Sequence, residues 1–198
     1  MVEPARPRSE TPRRVGGDGE PEVFAADEQN AVPIDLLRWQ RLAEGVLRAE
    51  GVRGLAELSV LFVSEAEIAE LNHDYMGKDG PTDVLAFPID AGEAEIVLHN
   101  QPPNRAPDRS PPDPGDMPLL LGDVVVCPAV AARQAPEHAG TIDDELALLV
   151  VHGILHVLGH DHDEPEAAAR MRARELELLT DLHWGGPAPE GFRQEHDE

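Results

Sequence analysis

Residues 152–162 read His-Gly-Ile-Leu-His-Val-Leu-Gly-His-Asp-His and hold four of the nine histidines of the chain. His152 and His156 are four positions apart, so on a helix they lie one turn apart on the same face. The run that leads into them, from Asp144, is mostly apolar and contains no proline. This pattern predicts a buried helix from Asp144 to Leu158 that carries two imidazoles into the interior.

The helix is predicted to end at Gly159, because glycine readily adopts the left-handed conformation of a helix C-terminus. Beyond that turn the chain can bring a third histidine, His160 or His162, towards the first two. Three imidazole ligands suit zinc or a similar divalent metal and leave one coordination position for water. Structural zinc sites usually take four protein ligands, so a three-histidine site indicates catalysis. Satisfied core histidines, or a polar cluster at a helix end, are the alternative interpretation of the pair alone.

A zinc peptidase is one alternative that the histidine spacing raises. Those enzymes carry a glutamate directly after the first histidine, where it acts as general base. Gly153 occupies that position here. The sequence therefore disfavours peptide hydrolysis.

Two further blocks of sequence accompany the histidines. One contains Asn72, Tyr75, Gly77 and Lys78, followed by Pro-Thr-Asp-Val-Leu-Ala-Phe-Pro at residues 81–88. The other is Leu-Gly-Asp-Val-Val at residues 121–125, shortly before Cys127-Pro128. Together with the histidine stretch, these blocks resemble the signature of the YbeY family over about residues 55–182. Members of that family are bacterial single-domain endoribonucleases linked to ribosomal RNA maturation.

The resemblance implies a ligand set and an activity. It makes His152, His156 and His162 the metal ligands, with one Zn²⁺ per chain. The turn geometry also favours His162 over His160, because two residues separate it from Gly159 and give the chain room to reverse. The implied reaction is metal-dependent hydrolysis of single-stranded RNA in ribosomal RNA processing, including maturation of the 16S rRNA 3′ end. The implied partners are an rRNA precursor and a ribosomal subunit or ribosome-associated proteins.

Two other candidate functions are a metal-dependent hydrolase of another substrate class and a non-catalytic, metal-stabilised ribosome-assembly module. In the enzyme, the metal would polarise a phosphoryl oxygen or lower the pKa of its bound water. The catalytic proton-transfer residue is not identified from the sequence. Asp161 and Asp123 are candidates, and a helix-end or turn role is the alternative for each.

Substrate binding is predicted at Lys78, the only lysine of the chain. Residues 72–80, which contain Lys78, are predicted to form a loop. The YbeY family often has an arginine in this loop, at the position that Met76 occupies here. Lys78 could hold a phosphate beside the metal in place of that arginine. The alternative is a solvated loop lysine.

The whole chain has 198 residues and a formal net charge of −23. That charge argues against general nucleic-acid binding, and no DNA partner is expected. It predicts weak, salt-sensitive affinity for RNA, or delivery to RNA by a partner.

Cys127 is the only cysteine, which fits a reducing compartment. No apolar stretch approaches the about 20 residues of a membrane helix. We therefore expect a cytoplasmic protein with no membrane partner.

The predicted organisation has a single catalytic domain at residues 21–184. A disordered arm (1–20) precedes it, a disordered tail (185–198) follows it, and a proline-rich surface insertion (99–118) interrupts it. Strands are predicted at 22–25, 58–63, 83–87 and 119–126, the second of them buried on both faces. Helices are predicted from Pro33, at 65–71 behind a Ser64 cap, at 129–135, at 144–158 and at 165–179. In the last helix, Met171, Leu176 and Leu179 are predicted to face inward. The fold class is α+β: a small, mostly four-stranded mixed sheet packed with helices, with the metal site on a central helix and the loop after it.

Overall fold

The computed structural model describes residues 20–89, 118–160 and 164–194. Its strands are β1 (Glu22–Asp27), β2 (Ala56–Phe62), β3 (Val84–Pro88) and β4 (Leu119–Val126). Its helices are α1 (Leu36–Ala49), α2 (Glu65–Leu71), α3 (Pro128–Gln134), α4 (Ile142–Val157) and α5 (Pro165–Leu179). Five-residue π-helical turns follow α2 at Asn72–Met76 and α5 at Thr180–Trp184. The predicted arm up to residue 19, residues 99–117 of the insertion, Asp161, His162 and residues 195–198 lie outside the described residues.

The four strands form one mixed sheet in the order β1-β2-β4-β3. β1 pairs with β2 and β2 with β4 in parallel, whereas β3 pairs with β4 antiparallel. The predicted α+β fold with a four-stranded mixed sheet is therefore confirmed. None of the helices in the described ranges is long and apolar enough to cross a membrane.

The larger core lies between one face of the sheet and helices α1, α4 and α5. A smaller cluster on the opposite face packs around Ile68 of α2 and Val130 of α3. This second layer covers only part of that face. Ser59 and Leu61 of β2 are consequently half-buried and Glu57 is exposed. The prediction that β2 is buried on both faces is therefore wrong.

Helix α4 is the central element, as predicted, and is buried over almost its whole length. The Thr141 hydroxyl caps its first turn by accepting from the Asp144 backbone N–H. At the other end, Gly159 N–H donates to the His156 carbonyl and His160 N–H to the Leu155 carbonyl. Gly159 has φ +91°, so the helix ends in a Schellman motif that needs a left-handed residue at this position.

Two predictions about the flanking helices are wrong. Helix α1 begins at Leu36 rather than near Pro33, because the Asp35 side chain accepts from Arg38 N–H and caps the helix there. In α5 we predicted that Met171, Leu176 and Leu179 face inward, but Leu176 is 38% exposed. The buried stripe follows the 3.6-residue period from Met171 through Glu175 to Leu178 and Leu179.

The chain after residue 185 does not match the predicted disordered tail as far as the structure describes it. Phe192 packs against Trp184, with the ring centroids 4.8 Å apart. The backbone N–H of Arg193 donates to the His138 carbonyl at 3.1 Å. Residues 185–194 therefore fold back onto the helices.

Candidate active site

His152 and His156 lie one turn apart on α4, as their spacing predicted. Their Nε2 atoms are 3.1 Å apart, and their ring planes are inclined at 73°. The side chain of His152 is 12% exposed, so its ring reaches solvent only at one edge. The two imidazoles thus bring two ring nitrogens together at the edge of the core.

Glu175 of α5 holds the other side of the His152 ring. Its Oε1 is 2.7 Å from His152 Nδ1, and the residue is only 1% exposed. A carboxylate can only accept hydrogen bonds, so Nδ1 carries the proton that is shared with Glu175. In a neutral imidazole this leaves the lone pair on Nε2, the atom that faces His156.

The donor set of this pair fits a zinc ion. Two Zn–N bonds of about 2.0–2.1 Å at a tetrahedral angle place the nitrogens about 3.3 Å apart, close to the 3.1 Å between these two Nε2 atoms. Metal-binding histidines almost always donate their other N–H to a carboxylate, carbonyl or water, as His152 does to Glu175. Within the described ranges no three His, Cys, Asp or Glu side chains form a candidate metal site, and the predicted third ligand, His162, lies outside those ranges.

His160 is directed towards helix α1. Its Nε2 is 3.2 Å from Oε2 of Glu50, the residue that follows α1, and Arg174 Nε donates to the other Glu50 oxygen at 2.6 Å. The hydrogen bond from His160 lowers the pKa of Glu50 below its ordinary value of 4.5; burial opposes this shift and Arg174 adds to it. The imidazole of His160 is thus engaged by a carboxylate from another helix.

A cleft of about 490 Å³ opens beside the two histidines. One wall is α4 at His152, Gly153 and His156, and the other walls are β3 and the loop that carries Lys78. Lys78, predicted from the sequence to contact substrate, therefore lines the same cleft as the histidine pair. Met76, at the position of the family arginine, also lines it.

The loop at residues 72–80 has more structure than we predicted. Asn72, at the start of the π-helical turn, is buried and donates from its side chain to the Gly80 carbonyl at 2.9 Å. The backbone N–H of Lys78 donates to the Asn72 carbonyl at 3.3 Å. These two hydrogen bonds connect the start of the loop to its end and fix the backbone position of Lys78.

Asp123, one of two candidates for proton transfer, faces away from the cleft. Val124 meets Gly153 of α4, and successive side chains on a strand point to opposite faces of the sheet. Asp123 therefore shares the opposite face with Val125, which belongs to the smaller core cluster. The other candidate, Asp161, lies outside the described residues.

Gly153 permits close packing of α4 on the sheet. A Cβ at this position would lie 2.5 Å from Cγ1 of Val124, closer than real Cβ contacts. The position directly after the first histidine is thus pressed against β4. A glutamate general base of the peptidase kind has no room there.

Sequence reasoning missed Glu175 and Glu50, the carboxylates that contact His152 and His160. The burial of Glu175 could have been predicted, because it lies four residues after Met171 and three before Leu178 on the buried stripe of α5. A charged residue on such a stripe needs a partner in the interior. The partner itself is 23 residues away and cannot be read from the helical period.

Comparisons with known proteins agree with the signature motifs. A family model described as Endoribonuclease YbeY matches residues 24–183. A protein of Salinispora tropica named Endoribonuclease YbeY is 50% identical over 139 residues, which cover 70% of this chain and 82% of the relative. An Acidothermus cellulolyticus protein of the same name is 46% identical over 156 residues, covering 77% and 86%.

A solved structure supports the fold independently. The solution structure of TM1509 from Thermotoga maritima aligns with a TM-score of 0.51 at 26% identity and covers 82% of this chain and 89% of that chain. The family match spans both walls of the cleft, from the Lys78 loop to the histidine helix. The chain belongs to the YbeY family of endoribonucleases.

Proposed function

We propose that this protein is a zinc-dependent endoribonuclease that hydrolyses phosphodiester bonds of single-stranded RNA during ribosomal RNA processing, including maturation of the 16S rRNA 3′ end. The observation that carries the proposal is the pair of imidazole Nε2 atoms 3.1 Å apart, opening onto a cleft that also contains Lys78. The proposal places one zinc ion per chain on His152, His156 and His162. It places the reaction in the cytoplasm, on an rRNA precursor at or near the ribosome.

In this proposal, different residues of the chain bind the metal, bind the substrate and hold these groups in position. A divalent metal held by the histidines would polarise a phosphoryl oxygen and activate a water molecule for attack. Lys78 binds a phosphate oxygen of the substrate by a charge-assisted hydrogen bond. Glu175 keeps the His152 ring protonated on Nδ1, and the bond from Asn72 to Gly80 holds the lysine loop against the cleft.

The negative charge of the protein restricts phosphate binding to a few groups in the cleft. The chain has a formal net charge of −23, and Asp79 and Asp83 line the cleft together with Lys78. Phosphate binding therefore depends on the metal and one cation rather than on a wide basic surface. This arrangement favours weak RNA affinity that falls with salt.

The first experiment measures metal content and RNA cleavage in the same preparations. Elemental analysis of gently purified protein should find about one zinc per chain, and chelation should abolish cleavage of single-stranded RNA until zinc is returned. His156→Ala should lose both metal and activity. The matched control is His183→Asn, which removes a buried histidine bonded to Asp144 rather than one at the cleft. A wild-type protein that holds no metal and cannot be loaded would contradict the proposal.

A second experiment tests the substrate class. The zinc-loaded protein is incubated with a precursor RNA that carries the 16S rRNA 3′ end, with unrelated single-stranded RNA and with a peptide panel. We expect cleavage of RNA and none of peptides, because Gly153 leaves no room for the peptidase glutamate. Peptide cleavage without RNA cleavage would favour the alternative hydrolase. Metal binding without any cleavage would favour a ribosome-assembly module.

A further inference from the structure

The carboxylate of Glu175 is buried where an ionised group is costly. The residue is 1% exposed and lies on the apolar stripe of α5 between Met171 and Leu178. Among the described residues, the His152 imidazole is the only basic side chain within ion-pair distance of it. Burying a carboxylate without a compensating cation costs several kcal/mol or more on general grounds. If packing were the only role of this position, an apolar residue would stabilise the folded chain more than glutamate does.

Both oxygens of this carboxylate have hydrogen-bond donors. Oε1 faces His152 Nδ1 at 2.7 Å, and Oε2 accepts from Gln194 Nε2 at 3.2 Å. Gln194 donates from the same nitrogen to the Arg172 carbonyl at 2.7 Å, which fastens it to α5. The carboxylate is thus held in one orientation, with one oxygen directed at the imidazole.

We propose that Glu175 is a positioning residue of the active site, which fixes the tautomer and the ring orientation of His152 so that the Nε2 lone pair faces the cleft, and that Gln194 holds Glu175 in place for this purpose. The inference rests on the proposed metal site. It extends that site from α4 through α5 to the segment near the C-terminal end of the chain. The imidazole needs this help because the two neutral tautomers of a histidine are otherwise close in energy, and only one presents Nε2 as a ligand.

The test compares two variants of Glu175 with a matched control. Glu175→Gln keeps the size and one acceptor oxygen but removes the charge, whereas Glu175→Leu removes the acceptor altogether. The control is Asp144→Asn, which neutralises a buried carboxylate of α4 that bonds His183 and Trp184. Asp144 lies eight residues from His152, about 12 Å along the helix axis.

Two measurements on each variant separate positioning from stability. Nitrogen-15 NMR of the metal-free protein reports which nitrogen of His152 carries the proton, and competition with a chelator reports the zinc Kd of the folded protein. Wild type should be protonated on Nδ1, and Glu175→Leu should show a mixture of tautomers and a Kd about 10–100-fold higher. Glu175→Gln should weaken zinc about tenfold and populate both tautomers, because a neutral amide oxygen accepts the Nδ1 proton less strongly than a carboxylate and the amide NH2 group can face Nδ1 instead. Asp144→Asn should stay within about twofold of wild type.

The outcomes distinguish this inference from the proposed function. If Glu175→Leu does not fold, the comparison of Glu175→Gln with Asp144→Asn decides. Zinc affinities of Glu175→Gln and Asp144→Asn that agree within about twofold would overturn the positioning role, because both variants lose one buried carboxylate charge. A wild-type protein that binds no zinc would overturn the metal site itself, whatever the tautomer of His152.

Discussion

The two ring nitrogens of His152 have different partners, and this difference defines the site. Nδ1 contacts the buried carboxylate of Glu175 at 2.7 Å, and Nε2 faces His156 at 3.1 Å. His160, on the residue directly after Gly159, has its Nε2 3.2 Å from Glu50. Because the Nε2 atom of His160 contacts Glu50, this atom is not available to a metal beside His152 and His156, and His162 is the better candidate for the third ligand.

The third ligand can be tested by exchanging the two histidines after Gly159 separately. We predict that His160→Tyr keeps the metal and most of the RNA cleavage, because His160 is directed to Glu50. His162→Ala should lose most of both, since two imidazoles hold zinc poorly. Metal analysis and RNA cleavage of the two variants, side by side, provide the check. A metal-free His160→Tyr protein beside a fully loaded His162→Ala protein would reverse the assignment.

The proposed contact of Lys78 with substrate can be tested separately from metal binding. Lys78→Ala should reduce RNA cleavage at least about tenfold, as expected for losing a charge-assisted phosphate contact worth roughly 1.5–3 kcal/mol. Zinc content and the melting temperature should not change, because the side chain is exposed. Lys78→Arg serves as the control that keeps the charge. Cleavage rates equal to wild type in Lys78→Ala would remove this residue from the site.

At the scale of elements, the distance between α4 and the sheet is set by Gly153. We predict that Gly153→Ala lowers the free energy of unfolding by about 1–3 kcal/mol, although alanine is the better helix former. The new Cβ would lie 2.5 Å from Cγ1 of Val124, a stiff β-branched side chain. Urea unfolding monitored by circular dichroism measures the loss. Val124→Ala in the same chain should restore part of it.

Gly45 of α1 provides the matched control. A Cβ there would meet the methyl ends of Leu182 at 3.3 Å, and that side chain is 39% exposed and free to move. Gly45→Ala should therefore be neutral or stabilising by up to about 1 kcal/mol. Equal destabilisation by the two substitutions would show that the close packing at Val124 is not the cause.

Asp144 joins the first turn of α4 to the π-helical turn after α5. Its Oδ1 accepts from His183 Nε2 at 2.9 Å and from Trp184 Nε1 at 2.7 Å, and its Oδ2 accepts from the Thr141 hydroxyl at 2.6 Å. Burial alone would raise the pKa of Asp144, but these three hydrogen bonds outweigh it and hold the pKa below its ordinary value of 3.8. The ionised carboxylate therefore contributes to the stability of the folded state.

This contribution has a defined dependence on pH. Because the pKa of Asp144 is lower in the folded chain than in the unfolded chain, its stabilisation is complete above the unfolded value of 3.8 and is lost as the pH falls through the folded value. We predict that Asp144→Asn lowers the free energy of unfolding at pH 7 by about 1–3 kcal/mol. The gap from wild type should narrow below pH 4. A gap that stays constant from pH 7 to pH 3 would mean that the charge is not responsible.

At the scale of the whole molecule, the described parts form one body although the chain between β3 and β4 is long. The two ends of that connection are tied to the sheet: Ile89 N–H donates to the Leu121 carbonyl at 3.0 Å, and Leu119 N–H donates to the Leu55 carbonyl at 2.9 Å. The strands on both sides are therefore held by the sheet itself.

We predict that the proline-rich insertion is dispensable for folding. Replacing residues 102–114 with a short Gly/Ser linker should leave the melting temperature nearly unchanged, because this segment contains no large apolar side chain and a shorter connection costs less entropy to close. Differential scanning calorimetry of the two proteins gives the comparison. A fall of more than about 8 °C, on the order of 2 kcal/mol for a chain of this size, would mean that the segment packs on the core.

The sequence by itself determined the features that depend on spacing within one element. The four-residue interval places His152 and His156 on one face of α4, Gly159 ends that helix, and Ser64 with Glu67 forms the capping box of α2. The bounds of β4 and α5 also agree with the prediction. These features follow from short-range hydrogen bonds and helical or strand periods, which adjacent residues determine. The same local motifs carried the resemblance to the YbeY family that the comparisons confirm.

Only the tertiary structure decided which side chains meet across elements. The register of β2 and β4 shifts after Glu57 and leaves Leu121 as an extra residue; at the next position, Gly122, a Cβ would collide with the Phe87 carbonyl oxygen. This shift puts Leu121 in the same core as Val124 and leaves Asp123 on the other face of the sheet, away from the cleft.

Long-range contacts fixed the surroundings of the histidines in the same way. Glu175 reaches His152 across 23 residues, and Glu50 reaches His160 across 110. Neither pairing has a signal in the local period, because the distance between two helices depends on how all their side chains pack against the sheet. The histidine pair on α4 could therefore be predicted from sequence, whereas the carboxylates that contact His152 and His160 became visible only in the folded chain.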